Sequence, residues 1–177
     1  MKILVIDDFL PDPYFKQIEN LLMGESLSWY WNDGILNDRS NFGFFKKSDL
    51  YQFIHILYNV ERGGINSNYY PLFDNVQKRL GVKRLDRIKI NLNPKTVFHR
   101  KTGFHTDQRS ISEGFGQHQK TAVFYVNTNN GWTEFKKGGK VKNIANRIVI
   151  FDSNLEHTGV TCTDKKRRVV INFNYDI

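Results

Sequence analysis

Two runs in the second half of this 177-residue chain, Arg84 to Asn93 and Arg168 to Tyr175, alternate with a period of two and are polar along one face. A period of two is the mark of a β-strand, whose successive side chains point to opposite faces. In the first run Ile88, Ile90 and Leu92 share a face, and Arg87, Lys89, Asn91 and Asn93 share the other. In the second, Val169, Ile171, Phe173 and Tyr175 oppose Arg168, Asn172 and Asn174, with Val170 on the polar side. Two such polar faces in one chain read as the walls of a wet pocket rather than as plain solvated surface. Lys120 to Asn127, Thr133 to Lys136, Lys140 to Ile144 and Arg147 to Phe151 read as further short strands, with a tight hairpin turn expected at Asn130-Gly131. Many short antiparallel strands after a few helices predict a mainly β fold with flanking helices, a double-stranded β-helix or jelly-roll, cupin-like barrel.

The first half reads as its support. Lys2 to Ile6 is a short strand, and a helix begins at Asp12-Pro13, with Asp12 as its cap and Gly24 as its end. Leu27 to Trp31 is a strand and Asn32 to Asn41 a polar loop. Tyr51 to Tyr58 is a strand, although its apolar spacing also fits a helix. Arg62 to Asn68 is a loop, and Tyr70 to Leu80 a second helix closed by Gly81. No repeat or linker divides the chain, so residues 1–177 are expected to form one domain, with 1–83 bracing a jelly-roll core at 84–177.

The chemistry concentrates in His105-Thr106-Asp107, His157 and Arg168. On a strand, His105 and Asp107 point the same way, and His157 must come from another strand. Two imidazoles and one carboxylate can occupy one face of an octahedral Fe(II) and leave the other open, the 2-His-1-carboxylate arrangement of non-heme iron oxygenases. The tripeptide alone is a weak signal, expected about 0.3 times by chance in a chain of this composition. Its weight comes from order: TAVFYVN at 121–127, RIVIFD at 147–152, His157-Thr158-Gly159 and RVVINFNY at 168–175 follow in turn.

Those residues resemble the 2-oxoglutarate- and Fe(II)-dependent oxygenases of the prolyl-4-hydroxylase-like branch, most clearly over residues 84 to 177. The opening Val5-Ile6-Asp7-Asp8-Phe9-Leu10 is similar to that of small phage and bacterial members. The resemblance implies that His105, Asp107 and His157 hold Fe(II), that 2-oxoglutarate and O2 are cosubstrates with ascorbate as an accessory reductant, and that succinate and CO2 leave as a substrate is hydroxylated. It implies that Arg168, rather than Arg167, holds the far carboxylate of 2-oxoglutarate, a role suited to a planar, permanently charged fork. It also gives Tyr125 a hydrogen bond to that carboxylate, places Asn172 where relatives have a small polar residue, and sets Asn93 near the other carboxylate. His55, His99 and His118 match no ligand position. The segment NNGWTEF departs from the double glycine common in relatives. Gln108 to Gln119 reads either as a loop over the site mouth or as a plain connection.

By this resemblance the first expected substrate is a protein or peptide side chain such as prolyl. An AlkB-like nucleic-acid oxidase and a non-catalytic jelly-roll binding module are the rivals. The net charge of +8 lends some weight to an acidic partner such as nucleic acid, although the basic residues are scattered as on a solvated surface. No apolar run approaches the roughly 18 residues that cross a membrane. Asp7, Asp8 and Pro11 interrupt the stretch where a signal peptide needs apolar residues, and the single Cys162 suits a reducing compartment. A cytoplasmic location is expected, that of the host if the chain is phage-encoded. No CxxC or HExxH pattern points to zinc.

Overall fold

The computed structural model describes residues 3–33, 50–108 and 119–177. Its centre is one large antiparallel sheet. Strands β1 (Leu4–Ile6), β2 (Tyr30–Asn32), β3 (Gln52–Asn59), β4 (Gly64–Ile65), β5 (Arg84–Pro94), β6 (Gln119–Tyr125), β9 (Arg147–Asp152) and β11 (Arg167–Asp176) belong to it, in the order β1-β9-β6-β11-β5-β3-β2 with β4 on β3. Strands β7 (Trp132–Phe135), β8 (Gly139–Lys142) and β10 (His157–Val160) form a second sheet in the order β10-β7-β8. The segment 101–105 runs beside β10 through the bridges Lys101↔Val160 and His105↔His157. The described strands thus make two packed sheets and not one closed cylinder.

Alternation divides the large sheet into two environments. Ile88, Ile90 and Leu92 of β5, Ala122 and Phe124 of β6, and Val169, Ile171, Phe173 and Tyr175 of β11 enter the main core. Helices α1 (Asp12–Met23) and α2 (Asp74–Leu80) cover that face with Phe15, Ile18, Leu22, Val76 and Leu80. Each such aliphatic or aromatic side chain contributes about 1.5–3 kcal/mol by leaving water. On the opposite face Val123, Tyr125, Val149, Phe151 and Val170 meet Phe135 of the second sheet in a smaller core. The polar residues of β5 and β11 lie beside this smaller core and are left to line a cavity.

Several local expectations need correction. Pro11 flanks α1, Asp12 is its first residue, and no side chain caps it; the amides of Tyr14 and Phe15 bond the Pro11 carbonyl instead. The strand expected over Leu27 to Trp31 starts at Tyr30, and that expected over Lys140 to Ile144 is Gly139–Lys142. Tyr70–Phe73 is a turn of 3-10 helix that leads into α2. Gly81 closes α2 at φ 67°, donating back to the Gln77 and Lys78 carbonyls, a left-handed geometry that costs glycine little. His105 and Asp107 lie outside any named strand, tied by the His105–His157 bridge and by the Asp107 amide, which donates to the Ser153 carbonyl at 2.9 Å. Most of the loop expected over Asn32 to Asn41, and residues 109–118 of the Gln108 to Gln119 connection, lie outside the described residues.

Asn130-Gly131 is not a hairpin turn, because β6 and β7 belong to different sheets. Gly131 serves close approach. A Cβ there would stand 2.7 Å from the Val160 carbonyl oxygen and 3.0 Å from Arg168 Cδ. The second sheet can therefore close over Arg168 only where this residue has no side chain.

Candidate metal and cosubstrate site

The geometry starts from two backbone hydrogen bonds. His105 and His157 exchange both, at 3.0 and 2.9 Å, which sets their rings side by side with centroids 4.5 Å apart. Nδ1 of His105 lies 3.2 Å from the Gly103 carbonyl, and Nδ1 of His157 lies 2.9 Å from that of Leu155. A carbonyl oxygen only accepts, so each Nδ1 carries a proton, and Nε2 is the nitrogen left to face a metal. Both Nε2 atoms face Asp107, at 3.8 Å from Oδ1 for His105 and 3.7 Å from Oδ2 for His157. One donor atom from each of the three residues lies within 4.8 Å of the others. Two imidazoles oriented by carbonyls, together with a carboxylate, form a donor set that fits Fe(II).

Asp107 is held ionised. Burial pushes its carboxyl pKa up, but His157, Arg87, His105 and the Asn174 amide outweigh that, and the carboxyl lies below its ordinary value. Oδ2 accepts from Asn174 Nδ2 at 3.1 Å and from Thr121 Oγ1 at 3.2 Å. Arg87 in turn donates to Asn174 Oδ1 through Nε and Nη2, at 3.1 and 2.9 Å, and its Nη2 is 3.7 Å from Asp107 Oδ1. Burial, with His105 beside it, lowers the His157 pKa despite the opposing pull of Asp107 and the Leu155 carbonyl. A neutral imidazole at ordinary pH is what a metal ligand requires.

Arg168 anchors the other end of the cavity. It is buried and sits opposite Asn93 in the β5–β11 register, while Arg167 occupies the other face and donates to the Met23 carbonyl at the end of α1. The guanidinium stands 5.9 Å from the Tyr125 ring centroid, its Nη2 is 3.5 Å from Thr133 Oγ1, and its Nε has no partner among the described residues. A buried cation with no carboxylate beside it is costly unless a ligand completes it. That open charge, in the lining of a cavity, fits the far carboxylate of a dicarboxylic acid.

Asn93 and Asn172 both line the cavity, and Asn93 donates a long 3.5 Å bond to Gln52 Oε1. Tyr125 does not line it. Its hydroxyl donates to Thr133 Oγ1 at 2.8 Å, and burial holds its pKa up at about 12. Thr133 therefore accepts from Tyr125 and Arg168 and stands in the cavity wall with its own proton left to donate. Sequence reasoning missed Thr133, and it also missed Asn174 and Thr121 as the clamp on Asp107. The polar face of β11 already carried Asn174, but strand phase could not say which polar residues touch a ligand. His55 bonds the Ser28 carbonyl and the Ser67 hydroxyl, and His99 the Thr161 carbonyl; His118 lies outside the described residues.

Residues 96–176 match the model of the 2OG-Fe(II) oxygenase superfamily. No curated protein matches the chain by sequence. Among solved structures, a viral collagen prolyl hydroxylase from Paramecium Bursaria Chlorella virus-1 is similar at TM-score 0.58 and 13% identity, over 100% of this chain and 90% of that one. A Pseudomonas putida prolyl-4-hydroxylase is similar at 0.61 and 14%, over 99% and 92%. HygX from Streptomyces hygroscopicus, solved with nickel and 2-oxoglutarate bound, is similar at 0.60 and 10%, over 98% and 82%. At these identities the likeness establishes the fold, a jelly roll backed by helices.

Proposed function

We propose that this chain, which belongs to the 2OG-Fe(II) oxygenase superfamily through residues 96–176, is a single oxygenase domain over 1–177 that hydroxylates a protein or peptide side chain at His105, Asp107 and His157. The observation that carries the reading is the pairing of two sites: a cavity lined by His105 and His157, whose donor atoms converge with that of Asp107, also holds Arg168, which has no carboxylate partner among the described residues. Fe(II), 2-oxoglutarate and O2 together supply the oxidising chemistry, releasing succinate and CO2 as one oxygen atom passes to the substrate.

The protein's own part is positional. The Gly103 and Leu155 carbonyls keep the two Nε2 lone pairs turned inward. Asn174 and Thr121 fix the Asp107 carboxylate and help to keep it ionised. Arg168 receives the far carboxylate of 2-oxoglutarate as a bidentate fork, with Thr133 donating beside it. Val123 and Val170 give the wall between them an apolar stretch that favours exclusion of water. A prolyl side chain is the first substrate to test, on the likeness to the two prolyl hydroxylases.

With Fe(II), ascorbate and O2, the protein should convert 2-oxoglutarate slowly to succinate even without its substrate, and Asp107→Ala should abolish this. Tyr125→Phe should only weaken it, since Thr133 loses one neutral hydrogen bond worth about 1 kcal/mol net. Succinate formation by Asp107→Ala at the wild-type rate would sink the assignment. No turnover together with no 2-oxoglutarate binding to the metal-loaded protein would favour a non-catalytic binding module.

A further inference from the structure

Besides Arg168, Lys89 is a second cation among the described residues that line the cavity, and neither the metal donors nor the Arg168 end accounts for it. It stands on β5 opposite Asn172, one pair along from Arg87–Asn174, the pair that holds Asp107, and two pairs from Arg168–Asn93. With about 3.4 Å of rise per residue, that places its backbone about 14 Å along the sheet from Arg168, toward the metal donors. What surface it keeps opens into the cavity it lines. No hydrogen bond or ion pair holds it among the described residues, and Asp107 acts on it only at longer range. Protein atoms around its ammonium, and the nearby Arg87, push its pKa down to about 8.

Lys89 is half-buried, and a cation partly withdrawn from water with no partner among the described residues is kept at a cost in stability that a ligand anion removes. The charges at the site show what is missing. With Arg87 beside Asp107, a divalent metal, Asp107, Arg168 and a doubly charged 2-oxoglutarate sum to one positive charge, and Lys89 adds a second near the metal end.

We propose that Lys89 is the receptor for a carboxylate bound next to the metal, supplied either by the keto-acid end of 2-oxoglutarate or by the substrate. The proposal rests on the oxygenase reading of the same site. An ammonium suits this place as a compact point charge with three donors, which can reach one carboxylate oxygen while the metal takes another.

The test uses Mn(II)-loaded protein and calorimetric titration. Oxalate reproduces the keto-acid end without the far carboxylate. If the carboxylate is the cosubstrate's, Lys89→Met should weaken oxalate and 2-oxoglutarate alike by about tenfold or more, the loss of one charge-assisted bond. Lys89→Arg, which keeps the charge, should stay within about threefold of wild type. If the carboxylate is the substrate's, both affinities should hold in Lys89→Met. Acetate added to the complex of protein, Mn(II) and 2-oxoglutarate should then bind to wild type and not to Lys89→Met. The Mn(II) affinity of Lys89→Met should rise in either case, because a repelling charge near the donors has gone; a side chain with a merely structural role would not produce that sign. Equal oxalate, 2-oxoglutarate and acetate binding in wild type and Lys89→Met overturns the proposal. Failure of 2-oxoglutarate to bind the wild type would instead count against the oxygenase reading, and the oxalate and acetate arms would still report on Lys89.

Discussion

Lys89 destabilises the ligand-free protein where it stands. Its folded pKa of about 8 lies below the ordinary 10.5, so the unfolded chain binds the proton more tightly than the folded one. At pH 7 both states are charged and the folded state carries the full penalty. As pH rises through 8 toward 10.5 the folded lysine loses its proton first, and the penalty fades. Lys89→Met should therefore be more stable than wild type by roughly 1–3 kcal/mol near neutral pH. Chemical denaturation at a series of pH values should show that gap closing between pH 8 and 10.5. A gap that is absent, or constant across that range, would mean the ammonium is solvated. The residues that carried the sequence reading were those with few chemical substitutes: an ordered His-x-Asp and His, and an arginine at the start of a strand. The sequence pattern places Lys89 and Asn174 on a pocket wall but gives them no individual role, and gives Thr133 none at all, because a threonine, an asparagine or a lysine on a polar strand face is common in solvated sheets too.

Strand β11 brings these roles together. Its two-residue period sends Arg168 into the cavity and Arg167 to the α1 carbonyl, so adjacent arginines should separate cleanly in function. Arg168→Ala should raise the apparent KM for 2-oxoglutarate by two orders of magnitude or so, since truncating one partner of a buried charge pair costs about 2–5 kcal/mol. Arg167→Ala should leave that KM alone and cost about 1 kcal/mol of stability through the lost bond to Met23. Steady-state kinetics with the reverse ranking would place the strand one residue out of register. The faces of β5 and β11 were legible because period two leaves no other arrangement once one face is apolar. Asn130-Gly131 was not, because the same dipeptide serves a hairpin turn and a close approach. The strand expected at His105 and Asp107 is an extended segment with isolated bridges; local alternation cannot tell how much of a ladder a neighbouring strand will offer.

Across the molecule, the large sheet separates two jobs. Its helix-backed face holds the main core, and its other face, roofed by the second sheet, holds donors and cations that would be expensive to bury without ligands. The mainly β, helix-flanked jelly-roll architecture was legible from patterning, but which strands join which sheet was not, because strand pairing between distant segments leaves no local mark. No helix among the described residues is long and apolar enough to cross a membrane. The most direct measurement is a titration of 2-oxoglutarate into wild type and Asp107→Ala, each with and without one equivalent of Mn(II). The wild type should bind one Mn(II) per chain, then one 2-oxoglutarate far more tightly than the metal-free protein does. Asp107→Ala should lose the metal and with it that tight binding. Full Mn(II) affinity in Asp107→Ala, or equal 2-oxoglutarate affinity with and without metal in the wild type, would contradict a site in which His105, Asp107 and His157 hold the metal to which the cosubstrate binds.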